Sequence, residues 1–266
     1  MKKFIFVILS VFLLFTSCPG PVSPIDPIEP SEPIVVQPSY LVNTTIPVEE
    51  QALYLLHYIS NYKWYIDNGY DPYIPNHPLI NSLKEKVLAG GTLTSEEEEQ
   101  IRQLVRDELY DESNYIQTYN IINDLIPILN EEVLSLIQYN EKWGFKMFEK
   151  YNIYLTLYNP GGQYNPGNGN IIMLAFPNDN IDSEEILQVV LHETVHIGIE
   201  ENIIQKYQVP QWTKERIVEQ FEYLHFNYIP NQWNSLEVDR SIDAIFEEPD
   251  VLDHLPERVG EFMSNQ

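Results

Sequence analysis

The sequence predicts an α+β protein, mostly helical, with a small β-sheet placed just before one apolar, histidine-bearing helix. Three observations lead there. Residues 47–149 carry helical periodicity between proline and glycine breaks, and residues 151–176 switch to β-forming segments around a glycine-rich loop. Residues 183–200 then return to a helix that is apolar on most sides and contains LHETVH.

The N-terminal elements come first. Lys2 and Lys3 precede an apolar run, Phe4 to Phe15, broken only by Ser10, and Thr16, Ser17 and Cys18 follow. The run is shorter than the roughly 20 residues of a membrane span and reads as an export signal. Cys18 is the only cysteine, so no intrachain disulfide can form. Small residues before a cysteine at the end of the run resemble a bacterial lipobox, with Phe15 where that pattern more often has leucine. The resemblance implies a signal peptide over 1–17, a lipidated Cys18 and attachment to a membrane of the bacterial cell envelope, facing periplasm or exterior. Residues 18–45 then read as a linker, because proline recurs every two to five residues over PGPVSPIDPIEPSEPIVVQPS.

Residues 46–150 form the expected N-terminal helical region. Leu53, Leu56, Ile59 and Tyr62 mark a helix over Val48–Ile66, and Pro72, Pro75 and Pro78 precede a short one near Leu79–Leu88 that Gly90 and Gly91 stop. Thr94 with Glu97, or Ser95 with Glu98, makes a capping box for a helix running to Leu109. Ser113 to Phe148 is helical with an interruption at Pro127. Residues 151–266 are the second region, expected to form one compact domain with 46–150. YNIYLTLY is a strand, NPGGQYNPGNG a loop (flap or long hairpin connection) and NIIMLAF a second strand. Asp182 and Glu185 form a capping box for Ser183–Glu200, and a further helix spans Trp212 to Tyr228 before Pro230. The tail from Asn231 has helical patches without a clear assignment.

Charge narrows the partners. With 15 basic against 40 acidic residues the net charge is −25, which excludes phosphate-backbone recognition and so a nucleic-acid partner. It also disfavours docking of the folded domain on anionic lipid.

His192-Glu193-Thr194-Val195-His196 is the motif that carries chemistry. Histidines at i and i+4 share one helix face, so both imidazoles can reach one metal ion. Glu193, about 100° round the helix, can take a proton from an activated water without occupying a coordination position. Two histidines and a carboxylate in so apolar a helix are costly without partners, and a bound zinc ion, one per chain, resolves that cost. A catalytic zinc site wants three protein ligands and an open position. Eighteen residues separate His196 from Glu215, and HExxH-x18-E resembles the gluzincin group of zincin metallopeptidases over roughly residues 170–228.

The resemblance implies a zincin-like domain hydrolysing a peptide or protein substrate, with Glu193 as general base and acid and Glu215 as third ligand. Glu219, one turn on, is implied as the residue that orients a ligand histidine. Glu219 or Glu200 are the alternative third ligands. It further implies an extended substrate lying along Asn170–Phe176 as a sheet edge. An oxyanion donor is expected among Tyr223, His225 and Tyr228, whereas His57, His77 and His254 lack ligand spacing. The same residues also admit a zinc-binding lipoprotein without turnover, and a hydrolase for another bond.

Overall fold

The structure, a computed structural model, describes residues 38–42, 47–175, 182–228 and 238–266; the signal segment, Cys18 and most of the linker lie outside them. All described residues belong to one compact unit, 37–266. The described residues are mostly helical, with one four-stranded sheet.

The sheet is built from short segments whose alternate side chains are apolar. β1 (Ser39–Val42), β2 (Lys150–Thr156), β3 (Gly162–Asn165) and β4 (Asn170–Leu174) stand in the order β1-β2-β4-β3. β1, β2 and β4 run parallel, and β3 returns antiparallel to β4 at the edge. Ile153 lies opposite Ile171 and Leu155 opposite Met173, all four buried, as the two-residue period of a strand requires.

Two expectations change here. Ser39–Val42 is a strand rather than the end of a linker. The Tyr40 ring stacks on Tyr151 at 5.1 Å, and its backbone N–H donates to Asn130 at 2.9 Å. Its hydroxyl also meets Thr194 of the histidine motif at 2.7 Å. Thr194 donates to the Val190 carbonyl, so Tyr40 is the donor of that pair. The 159–169 loop contains β3, which makes β4 an interior strand and moves the sheet edge to Gly162–Asn165.

The predicted first helix divides at Asn61 into α1 (Val48–Ser60) and α2 (Tyr62–Asp67). Its buried stripe is Ala52, Leu55, Leu56 and Ile59, so Leu56 and Ile59 keep the expected face while Leu53 is exposed and Tyr62 only partly buried. Gln51, fully buried, ties α1 to the sheet: its amide donates to the Leu155 carbonyl at 2.9 Å and accepts from the Thr156 hydroxyl at 3.1 Å. α3 (Pro78–Leu88) is capped by His77, and α4 (Ser95–Leu104) by the Thr94–Glu97 box. A π-helical turn, Val105–Leu109, follows.

α5 (Ser113–Ser135) continues through Pro127. A proline inside a helix costs about 3 kcal/mol, yet Ile122, Leu125, Leu129 and Val133 keep a buried stripe on both sides of it. Tertiary burial holds the helix, and the break comes at Leu136, before α6 (Ile137–Trp143). α7 (Ser183–Ile199) carries the motif and packs on α5, β3 and β4. Asp182 caps it through the Glu184 N–H at 2.9 Å rather than through a box with Glu185. α8 (Gln211–Phe226) lies on α7, and the tail resolves into two 3-10 turns, Arg240–Glu247 and Val251–His254, and α9 (Leu255–Ser264). Among the described residues no helix is long and apolar enough to cross a membrane.

Candidate metal centre

α7 is locally a good helix because Asp182 caps it and Leu187, Val190, Leu191, Val195 and Ile197 bury most of its surface. Gly198 lets the helix pass the Phe145 ring, which occupies the space a Cβ would need (1.9 Å to the nearest ring carbon). His192 and His196 thereby stand one turn apart above α8. Their Nε2 atoms are 3.0 Å apart, and Oε2 of Glu215 lies 3.4 Å from the first and 3.3 Å from the second.

This triangle fits a small divalent ion. Four ligands at about 2.0–2.1 Å around zinc place neighbouring donors about 3.3–3.4 Å apart, close to the separations found. His192, His196 and Glu215 thus form a largely buried group able to hold a metal ion.

Glu222, not Glu219, supports the motif histidine: its Oε2 accepts from Nδ1 of His192 at 2.9 Å. That contact leaves Nε2 to face the triangle. Both acids are near Glu215 around α8, at about +40° for i+4 and about −20° for i+7. His192 precedes His196 while Glu222 follows Glu215, so the helices pass in opposite directions, which brings the second turn into reach. Glu219 instead accepts from buried Arg216 at 3.0 Å, and Arg216 also forks onto Asp243 at 2.6 and 2.8 Å. Glu200 sits where α7 passes into a π-helical turn, accepting from the Tyr164 hydroxyl at 2.7 Å and from Gln205 at 3.2 Å. It is not among the metal-holding group.

Glu193 is buried against the edge strand. A Cβ on Gly162 would meet its Oε1, so the carboxylate lies in the space that a side chain at this position would need. Burial raises the Glu193 pKa to about 7 against the opposing pull of His192. Burial also works against charge on both histidines. On His192 the Glu222 and Glu215 carboxylates outweigh it and hold the pKa well up, whereas His196 falls to about 4. Burial pushes Glu215 upward, but the two histidines prevail and keep it ionised, well below the carboxylate range.

The group opens into a cleft of about 890 Å³ with an aromatic wall that includes Trp64, Tyr65, Tyr70, Tyr73 and Trp212. Tyr164, on β3, stacks on His196 at 4.7 Å and 5°. The expected oxyanion donors are elsewhere. His225 bonds Ser135 at 2.6 Å and Tyr139 at 3.0 Å on the far side of α8, Tyr223 is exposed, and Tyr228 stacks on Phe226; none lines the cleft. His57, given no role by its spacing, does line it and bonds Tyr65 at 3.0 Å.

Among the cleft phenols, Tyr65 is shared between His57 and Gln163, and Tyr164 donates to Glu200 while accepting from Lys214. Tyr70 accepts from Gln211, and its own proton has no acceptor among the described residues. Gln211 and Lys214 are neighbours of Glu215 in sequence and Glu222 lies two turns on, so spacing alone could have nominated them. Tyr70, Gly162 and Tyr164 carried no such signal.

No protein-family model matches the chain, and no curated protein or solved structure matches it.

Proposed function

We propose that this protein is a zinc-dependent peptidase of the zincin type, held in the bacterial cell envelope by a lipid on Cys18. The observation that carries the reading is the His192–His196–Glu215 triangle, with Glu193 beside it, on the floor of an open cleft. Zinc in that triangle would supply a Lewis acid that acidifies water and polarises a carbonyl.

The chain's own residues would do the rest. Glu193, buried beside the triangle, takes the water's proton and delivers it to the leaving amine. Gly162, in contact with Glu193, belongs to the edge strand β3, along which an extended peptide backbone can add as a further strand. Tyr70, whose hydroxyl accepts from Gln211 and keeps its own proton available, offers that proton to the developing oxyanion. Glu222 holds His192 in the tautomer the site needs. The signal peptide, Cys18 and lipid anchor belong to this proposal as readings of residues outside the described fold.

The test is metal content and turnover of the purified full chain. About one zinc per chain is expected, with Glu193→Gln keeping the zinc and losing peptide hydrolysis. Protein never exposed to chelator that contains no metal would refute the centre. A zinc-loaded protein indifferent to Glu193→Gln would instead be a binding lipoprotein.

A further inference from the structure

The two oxygens of Glu215 have separate surroundings. Oε2 faces both ligand histidines at 3.3 and 3.4 Å. Oε1 points away, accepting from the Gln211 side-chain amide at 2.6 Å, with the Lys214 ammonium 3.7 Å off. The second N–H of that amide reaches the Tyr70 hydroxyl at 2.5 Å. Reversing the amide would set its carbonyl oxygen against a carboxylate, so the donor orientation is fixed by charge.

Tyr70 in turn cannot easily shift. Its ring lies between Trp64 (6.0 Å, 14°) and Trp212 (5.3 Å, 21°), with Tyr65 edge-on at 6.2 Å. Trp64 and Tyr65 belong to α2, and Trp212 to the first turn of α8. The N-terminal helical region therefore reaches the metal centre through one aromatic stack and one amide.

We propose that Tyr70 and Gln211 form a clamp that reserves Glu215 Oε1, so that this ligand offers the metal one oxygen only. The inference rests on the zinc reading above. A carboxylate binding through one oxygen, with two histidines, leaves the fourth tetrahedral position open to water or substrate. Turning Oε1 inward would break a charge-assisted hydrogen bond and take the carboxylate away from Lys214. Tyr70 and Gln211 act through Glu215 and are positioning residues in this role.

The experiment compares the full chain with Gln211→Leu and Tyr70→Phe. Cobalt(II) is substituted at the site and its visible absorption recorded, and zinc affinity is measured by chelator competition. Wild type is expected to show the intense bands of four-coordinate cobalt. Gln211→Leu should weaken those bands as coordination expands and lower zinc affinity by about 10-fold or more. Tyr70→Phe keeps the ring stack and should move both readouts the same way by a smaller factor.

Gln211 is only partly buried at the helix start, so folding of the leucine variant is checked by circular dichroism. Should it fail to fold, Tyr70→Phe decides the question alone. Wild-type spectra and affinity in the folded variants overturn the clamp while leaving the zinc centre standing. A wild-type chain that binds neither metal overturns both.

Discussion

The two helices that meet at the candidate metal centre are made in opposite ways. α7 is apolar over most of its surface, and its ionisable groups beyond the first turn, His192, Glu193 and His196, converge on the cleft. α8 buries Thr213, Glu215, Arg216, Glu219, Gln220 and Glu222, so polarity is its rule rather than its exception. On α7 a polar residue identifies itself, because an apolar helix has no cheap place for one. On α8 the acids are distinguished only by partner: histidines for Glu215, His192 for Glu222 and Arg216 for Glu219. Residue type reveals a site where its background is hostile, and conceals it where the background is permissive.

Arg216→Met would break that sorting most severely. It leaves Glu219 fully buried without its counter-charge and frees Asp243 from its fork, and losing one partner of a buried pair costs about 3–5 kcal/mol. Denaturant unfolding measures it; a loss below about 1 kcal/mol, the range of exposed pairs, would show that Arg216 does not organise α8.

Glu222→Gln against Glu219→Gln sharpens the comparison at the metal. The first should lower zinc affinity by about 10–100-fold, while the second leaves affinity within about twofold, because Glu219 touches no ligand. Equal losses in chelator competition would mean that the two acids are not divided as described.

The last prediction lies at the far end of α8. Burial lowers the His225 pKa to about 4, against about 6.5 in an unfolded chain. Between those values the unfolded chain takes up a proton that the folded one resists, so stability falls as pH drops from about 6.5 to 4. His225→Gln should flatten the melting temperature against pH in that window and leave zinc affinity alone. An unchanged slope would assign the acid sensitivity to other groups.

Particular residues show where sequence reading stops. The paired histidines of α7 were legible because i and i+4 share a helix face wherever the helix sits. Glu215 was implied by the resemblance of HExxH-x18-E to the gluzincins, and the structure brings it within 3.4 Å of both histidines. Glu219 was the wrong helper because the crossing of two helices, not the spacing along one, decides which acid meets Nδ1. Pro127 suggested a break that the packing of Ile122, Leu125 and Leu129 overrides. Proline content hid β1, whose place depends on Tyr40 finding Tyr151 and Thr194 more than a hundred residues away.

What the sequence by itself determined is the local and the periodic: a mostly helical α+β chain, the capped motif helix, the two histidines with Glu193, and a strongly acidic balance of charge. What only the tertiary structure decided is every pairing across distance. It moved the sheet edge from Asn170–Phe176 to Gly162–Asn165, set Gly162 against Glu193, and brought Tyr70 through Gln211 to Glu215. The reason is physical. Helix faces and caps follow from bond geometry within a few residues, whereas the partner of a buried polar group is whichever one the packed core leaves within about 3 Å.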